Sequence, residues 1–327
     1  MGAAAAAAAK TLVEGGVVAL PTETVYGLAA HALDPAAVAK IFAVKERPSF
    51  DPLIVHVRNL DAALELAEPP PGAEDTVRKL ANVFWPGPLT FLLPKKAIVP
   101  DIVTSGLPTV AVRVPSHPVF RRVLKECRFP LAAPSANRFG RISPTTASAV
   151  EKELGGRIPL ILDGGACAEG LESTILRVSK PPGTPKPLLE IVRAGPVTRE
   201  QLKQFGIVKK APREATPGAP GQLASHYAPE TPVRLLEEDG SFSPEPGKRY
   251  GLLSLDGEPG RLDPADFAAT AVLSPGSGKL SEAAIRLFAM LRQLDEAGVD
   301  EIIAEPVADQ GLGAAINDRL RKAAGRG

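Results

Sequence analysis

Cysteine is scarce: the 327 residues hold two, Cys127 and Cys167, with no CxxC pair. That excludes a disulfide framework and a thiolate zinc cluster. Histidine is nearly as sparse, four residues (His31, His56, His117, His226) without HExxH or paired spacing, so no protein-built metal cage is expected. Aromatics make up only 5%, and no run approaches the ~18 uninterrupted apolar residues of a membrane span. The opening MGAAAAAAAKTLVEGG has no basic segment ahead of its apolar stretch, and that stretch is alanine, a helix former with little hydrophobic drive. The expectation is a surface helix at the start of a cytoplasmic chain that does not engage a membrane.

What is present describes a globular protein: 44% hydrophobic and 23% charged residues, in a length suited to two domains. The net charge of +1 hides an asymmetry. Residues 231–327 carry 11 Lys+Arg against 16 Asp+Glu, a net of −5, and residues 1–230 carry 27 against 21, a net of +6. An excess of positive charge suits anionic ligands, and solvated faces alone can also produce it.

Residues 1–206 read as alternating short strands (GVVAL, LIVHV, LTFLL, TVAVRVP, FPLAAP, PLILDGG, STILRV) and helices. DPAAVAKIFAVKE is a helix with Asp34 as N-cap and Pro35 in the first turn. This predicts one α/β domain around an open twisted mixed sheet. Residues 207–232 hold five prolines without either period and read as a stiffened linker. Residues 233–327 then form a smaller α/β domain, with strands in VRLLEE, RYGLLSL, TAVLSP and EIIAEPV and an amphipathic helix ending at Gly298.

Three glycine-rich stretches are decoys. PGSGKLS lacks a phosphate loop's first glycine (Leu273 stands there) and has Leu280 where Ser or Thr belongs; DGGACAEG and GLGAAI miss the GxGxxG spacing. Other stretches carry chemistry. LPTETVYGLAA runs from a core strand straight into two threonines, a glutamate and a tyrosine, without the Asn-Gly or Asp-Gly of a tight hairpin. Polar groups leaving a core strand need partners or a ligand. In KERPSFDPLIVHV, Lys45 and Arg47 read either as a solvated pair or as two cations on one anion. His56 lies inside an apolar strand. FPLAAPSANRFGRISPTTASAV presents Ser135 and Asn137 at a strand end, with Arg138, Arg141 and Ser143 behind, ahead of a helix start with a hydroxyl cap and proline in its first turn. Arg113, alternating with apolar residues in VAVRVPSHP, wants a carboxylate or phosphate partner.

In this order, PTETVYGL, KERP with PLIVH, PGPLT, VAVRVPSHP, APSAN with SPT, ILDGG with EST, and PGQLASHYAP resemble the YrdC-type threonylcarbamoyl-AMP synthases. The match is to their long subfamily with a linker and a C-terminal extension, and GLGAAINDRLRKAA resembles its tail. The resemblance implies an open twisted sheet with a large concave cavity, followed by a small Rossmann-like domain. It implies condensation of L-threonine, bicarbonate and ATP to threonylcarbamoyl-AMP and pyrophosphate, with Mg2+ carried on ATP. The adenylate would feed a threonylcarbamoyl transferase acting on tRNA, with possible RNA contact by the chain itself.

By the same resemblance, Thr24, His56, Arg113 and Ser173 match threonine-binding positions, with Ala133 lining that pocket. Arg47, Asp51, Thr109, Ser135, Ser143 and Arg193 match nucleotide-binding positions. Lys45 with Arg47 would neutralise the phosphates, and Ser135 with Asn137 would orient them, as the catalytic signature. Tyr227 matches a linker tyrosine that approaches the ligands, either within a lid hinged at Gly218 and Gly221 or packed on the second domain. Asp51 stands where relatives commonly have Asn, Phe139 replaces a small residue, and QLAS replaces bulkier, more basic residues. A carbamoyl transferase of the hydrogenase-maturation type and a non-catalytic RNA-binding protein are the alternative functions.

Overall fold

The computed structural model describes residues 2–212, 218–221, 226–236, 242–258 and 262–325. The linker read over 207–232 therefore lies partly outside the described residues. The chain forms two compact units: Met1–Phe139, Pro144–Cys167 and Glu172–Gln222 make the first, and Gly140–Ser143, Ala168–Leu171 and Leu223–Gly327 make the second.

The first unit is built on a nine-stranded mixed sheet of spatial order β1-β2-β6-β3-β5-β4-β7-β8-β9. Its strands are β1 (Val18–Leu20), β2 (Gly27–His31), β3 (Ile54–His56), β4 (Leu89–Pro94), β5 (Thr109–Arg113), β6 (Leu131–Ala132), β7 (Thr174–Ser179), β8 (Leu188–Arg193) and β9 (Ile207–Lys210). Helices α1 (Gly2–Val13), α2 (Pro35–Lys45), α3 (Leu60–Leu66), α4 (Glu74–Phe84), α5 (Asp101–Thr104), α6 (Pro118–Cys127), α7 (Ala147–Leu154) and α8 (Arg199–Leu202) connect them.

Side-chain parity decides which face each helix covers. Val55, Phe91, Leu93, Val110, Val112, Leu176 and Val178 point to one face, where Val38 and Ile41 of α2, Ala63 and Leu66 of α3 and Val77 and Leu80 of α4 bury them. On the opposite face, α1 and α6 cover Val18, Leu20, Ala29 and Leu131. Over β3, β5, β4 and β7 that second face carries, among the described residues, an apolar patch of Ile54, Leu92, Ala111 and Ile175, packed against Ala219.

Several expectations change. The alanine-rich α1 is more than a surface helix: Ala5, Ala8, Ala9 and Leu12 are buried against Phe120, Val123 and Leu124 of α6. Alanine lets the two helices approach closely. The stretch after GVVAL does close a hairpin, pairing Leu20 with Gly27 around a six-residue connection rather than a two-residue turn. PLILDGG does not form a strand, and only Ile161 bridges, to Ala19. Ile207–Lys210, read as the start of the linker, adds an edge strand parallel to β8, which itself carried no sequence signal; Val208 is buried while Lys209 and Lys210 stay in solvent. Charged side chains on an edge discourage further strand addition.

Helix α2 follows the sequence closely. Asp34 Oδ1 accepts from Ala36 N at 2.9 Å, and Pro35 occupies the first turn. Replacing Asp34 with Ala is expected to lower unfolding free energy by about 1 kcal/mol, measured by denaturant unfolding; an unchanged midpoint would show that the cap contributes nothing. In α7 the cap is Thr146, whose Oγ1 accepts from Ala149 N at 3.2 Å, so Pro144 and Ser143 precede the helix instead of opening it.

The second unit holds a four-stranded, all-parallel sheet of order β10-β13-β11-β12, with β10 (Val233–Leu235), β11 (Tyr250–Ser254), β12 (Phe267–Val272) and β13 (Glu301–Ala304). α9 (Leu280–Asp295) packs on β11 and β12 and α10 (Gly313–Ala324) on β10, the Rossmann-like arrangement expected. The two short segments from earlier in the chain belong to this packing. Gly170, at φ +71°, lies so close to α9 that an added Cβ would sit 2.3 Å from Ile285 Cα. Arg141 pairs with Glu230 at 3.0 Å, and Arg292 donates to the Ile142 carbonyl.

Candidate functional site

The second face of the large sheet gathers the polar groups. Register places His56 beside Arg113 and Ile54 beside Ala111, and the pairs of Thr90 with Ile175 and of Ile175 with Arg193 continue the same face. Residues paired in register point to the same side of a sheet. His56, Arg113, Thr90 and Arg193 therefore ring the patch formed by Ile54, Leu92, Ala111 and Ile175.

Thr22 organises the hairpin connection. Its Oγ1 donates to Val25 O at 2.6 Å, accepts from Thr24 N and Val25 N, and lies 2.8 Å from Thr24 Oγ1. This local side-chain turn presents Thr24 to Arg113, whose Nη1 donates to Thr24 Oγ1 at 2.9 Å and whose Nε donates to Gly87 O at 3.2 Å. Arg113 Nη2 is 2.7 Å from Glu23 Oε1, an ion pair buried on both sides, and Glu23 Oε2 accepts from Ser116 N. The Glu23 contact takes at most one of the two Nη2 N–H groups, so that nitrogen keeps the capacity to meet another acceptor. Burial works to raise the Glu23 carboxyl, and the Arg113 charge and hydrogen bonds outweigh it, holding it below its usual value.

His56 sits at the edge of the region covered by α6, its ring 4.9 Å from that of Phe120. Burial, with the Arg113 charge second, brings its pKa down to about 3, so the ring is neutral across the physiological range. Its Nδ1 is buried without a hydrogen-bond partner. Ala133 lies just past β6, its N donating to Ile54 O at 3.0 Å and its methyl in the cluster with Leu131.

A second group surrounds Ser173. Thr90 Oγ1 and Ser173 Oγ are 2.7 Å apart, and Arg193 donates from Nη2 to Ser173 Oγ and from Nε to Ser173 O, each at 3.1 Å. Arg47 is buried rather than solvated: Nε and Nη2 donate to Asp51 O (3.0 Å) and Pro52 O (2.8 Å), and Nη2 is 2.8 Å from Asp51 Oδ2. Asp51 is fully buried. Burial raises its pKa, against the lowering pull of Arg47, Lys45 and Arg193, so Asp51 stands within the field of all three cations. Lys45 is buried too, donating to the carbonyls of Ser135 (2.6 Å) and Asn137. Burial, then the Arg47 charge, drives its ammonium well below the usual lysine range. Asn137 Nδ2 donates to Arg138 O.

Thr109 starts β5 and Arg113 ends it, a separation of roughly 13 Å at ~3.3 Å per residue, so Thr109 is outside the Arg113 cluster. Ser143 and Tyr227 belong to the second unit. Ser143 is buried there, and the Tyr227 ring lies 5.7 Å from Phe288 and 4.2 Å from His226, with the Arg319 guanidinium 5.2 Å from its centroid. In the PGSGKLS loop, Ser274 and Ser277 donate to Glu282 in the first turn of α9, so these hydroxyls serve an internal carboxylate.

Three residues escaped sequence reasoning: Thr22, Glu23 and Thr90. Thr22 and Glu23 stood in the polar run after β1, which marked the place without assigning roles. Thr90 sits in a strand that reads as wholly apolar except for it. Among the described residues no group of three or more His, Cys, Asp or Glu could hold a metal ion.

Buried guanidinium groups at Arg47, Arg113 and Arg193, each held by carbonyl, hydroxyl or carboxylate oxygens around one sheet, suit an α/β enzyme that binds small anionic substrates. Comparison with known proteins makes this specific. Residues 10–195 match the Sua5, YciO and YrdC family model, described as "Telomere recombination", and residues 197–325 match the model for the threonylcarbamoyl-AMP synthase C-terminal domain. The chain belongs to this family, in its long, two-domain form. It is 39% identical to a threonylcarbamoyl-AMP synthase of Pyrococcus abyssi (95% of this chain, 91% of that one) and 40% identical to one of Bacillus subtilis (98% and 92%). The crystal structure of Pyrococcus abyssi Sua5 complexed with L-threonine superposes with a TM-score of 0.84 at 37% identity, covering 98% of this chain and 94% of that one.

Proposed function

We propose that the chain is a threonylcarbamoyl-AMP synthase, condensing L-threonine, bicarbonate and ATP to threonylcarbamoyl-AMP and pyrophosphate. The supporting observation is Arg113, a buried guanidinium fixed by Thr24, Gly87 and Glu23 that retains donor capacity at Nη2. Arg113 would take the threonine carboxylate. Thr24, neutral His56 and Ser173 would hold its polar groups, and the Ala133 methyl would bound the pocket. The threonine amine adds carbon dioxide, formed as bicarbonate gives up hydroxide, and the proton the amine releases joins that hydroxide as water, leaving a carbamate. A carbamate oxygen then attacks the α-phosphorus of ATP, and the bond to pyrophosphate breaks.

The residues in this scheme position reactants and neutralise charge. Arg47 and Arg193 would meet the phosphates, with Arg47 leaving Asp51 as they arrive. Ser135 and Asn137 would orient the nucleotide at the strand end. Mg2+ is proposed to arrive on ATP, where it would neutralise the pyrophosphate leaving group. The product's mixed anhydride suits transfer to tRNA by a separate transferase in the cytoplasm. No helix among the described residues is long and apolar enough to cross a membrane.

Pyrophosphate release measured with each substrate omitted in turn tests the reaction. Release should need all three, and threonine-independent release at the full rate would overturn it. Serine is expected to be the poorer substrate, because its missing methyl leaves space in the pocket. One methyl yields discrimination of about 10–200-fold, read as the ratio of kcat/KM values; equal values would count against a threonine-shaped pocket.

A further inference from the structure

Lys45, the last residue of α2, is 1% exposed, and its ammonium lies between two backbone carbonyls, Ser135 O at 2.6 Å and Asn137 O. Its own carbonyl accepts from Phe139 N at 2.8 Å. The residue is thus tied to segment 135–139 through both side chain and backbone. That segment is leaving the sheet. A bridge from Ser135 to Gly27, a bond from Ala136 N to Tyr26 O and one from Arg138 N to Glu153 Oε2 tie it as well. Carbonyls two residues apart that converge on one point need a donor or a cation between them, and a buried carbonyl left without one is costly. An ammonium has three N–H groups, and two are committed here. A buried ammonium in turn needs such partners to offset its desolvation.

We propose that Lys45 is a positioning residue and not a phosphate ligand: it serves as an internal cation that holds the Ser135–Asn137 turn in shape, so that both side chains face the nucleotide together. Arg47, two residues further on, remains the phosphate-binding cation of the pair. This rests on the reading that Ser135 and Asn137 contact the nucleotide. The experiment separates the two claims.

The test is a double-mutant cycle on pyrophosphate release, normalised to folded protein, with Lys45→Met, Ser135→Ala/Asn137→Ala and the triple combination. Lys45→Met alone is expected to lower kcat/KM for ATP by about 100-fold, as removal of a site's orienting groups does. KM for threonine should stay near the wild-type value, a split that simple loss of folded protein would not produce. In the Ser135→Ala/Asn137→Ala background the same change should lower kcat/KM by no more than about twofold, because residues acting as one unit are non-additive. If the losses multiply instead, Lys45 meets the phosphates independently and the proposal is overturned. Full activity of Lys45→Met overturns it as well. Full activity of Ser135→Ala/Asn137→Ala would instead remove the nucleotide role of the turn. Should Lys45→Met not fold, Lys45→Arg enters the same cycle, since it keeps the charge while misplacing the donors.

Discussion

Arg113→Met is expected to abolish useful threonine binding, lowering kcat/KM for threonine by about 100–1000-fold, as loss of a buried charged donor to a carboxylate does. The chain should also be destabilised by about 3–5 kcal/mol, because Glu23 is left charged, buried and unpaired. Adding Glu23→Gln separates the effects. Removing the second charge should restore much of the stability without restoring threonine use, as followed by denaturant unfolding beside pyrophosphate release. Retained threonine dependence in a folded Arg113→Met protein would take Arg113 out of the substrate site. The same pair sets an acid limit. Glu23 is depressed in the fold, so its contribution is complete above its unfolded pKa and is lost as pH falls through its lower folded value. His56 acts in the same direction: it stays neutral in the fold down to about pH 3, whereas the unfolded chain takes up its proton as pH falls below ~6.5. Stability should therefore decline on acidification from near neutrality.

Arg47→Ala is expected to reduce turnover by about 30–1000-fold, equivalent to about 2–4 kcal/mol of lost charge stabilisation at the transferring phosphate. Arg47 also holds the carbonyls of Asp51 and Pro52, so part of any loss would be structural. Asp51→Asn beside Arg47→Ala isolates that part: it removes the stranded carboxylate and should recover stability, leaving turnover low. Wild-type pyrophosphate release from folded Arg47→Ala would exclude Arg47 from the mechanism.

Much of the frame was legible because it is local. Asp34 and Pro35 announce α2 within two residues, and the runs around Val55, Phe91 and Val112 announce buried strands. The hairpin connection was not legible as a turn, because Thr22 builds it with a side-chain oxygen in place of glycine dihedrals. Edge strand β9 has four residues with two exposed lysines, too few for a period. Within the site, composition marked Lys45, Arg47, Arg113 and Ser135, but their partners lie far along the chain: Lys45 binds carbonyls some 90 residues away, and Arg113 pairs with a glutamate as distant. Sequence spacing cannot reveal such pairs, nor that Lys45 is enclosed while its chemistry reads as exposed.

The second unit draws eight of its residues, Gly140–Ser143 and Ala168–Leu171, from between segments of the first. The chain consequently passes from one unit to the other five times, and no single cut releases the second unit whole. A fragment beginning at residue 223 would lack Ile142 and Leu171, both buried in the intact protein. A C-terminal fragment is therefore expected to pack as it does in the whole chain only when both short segments are supplied with it.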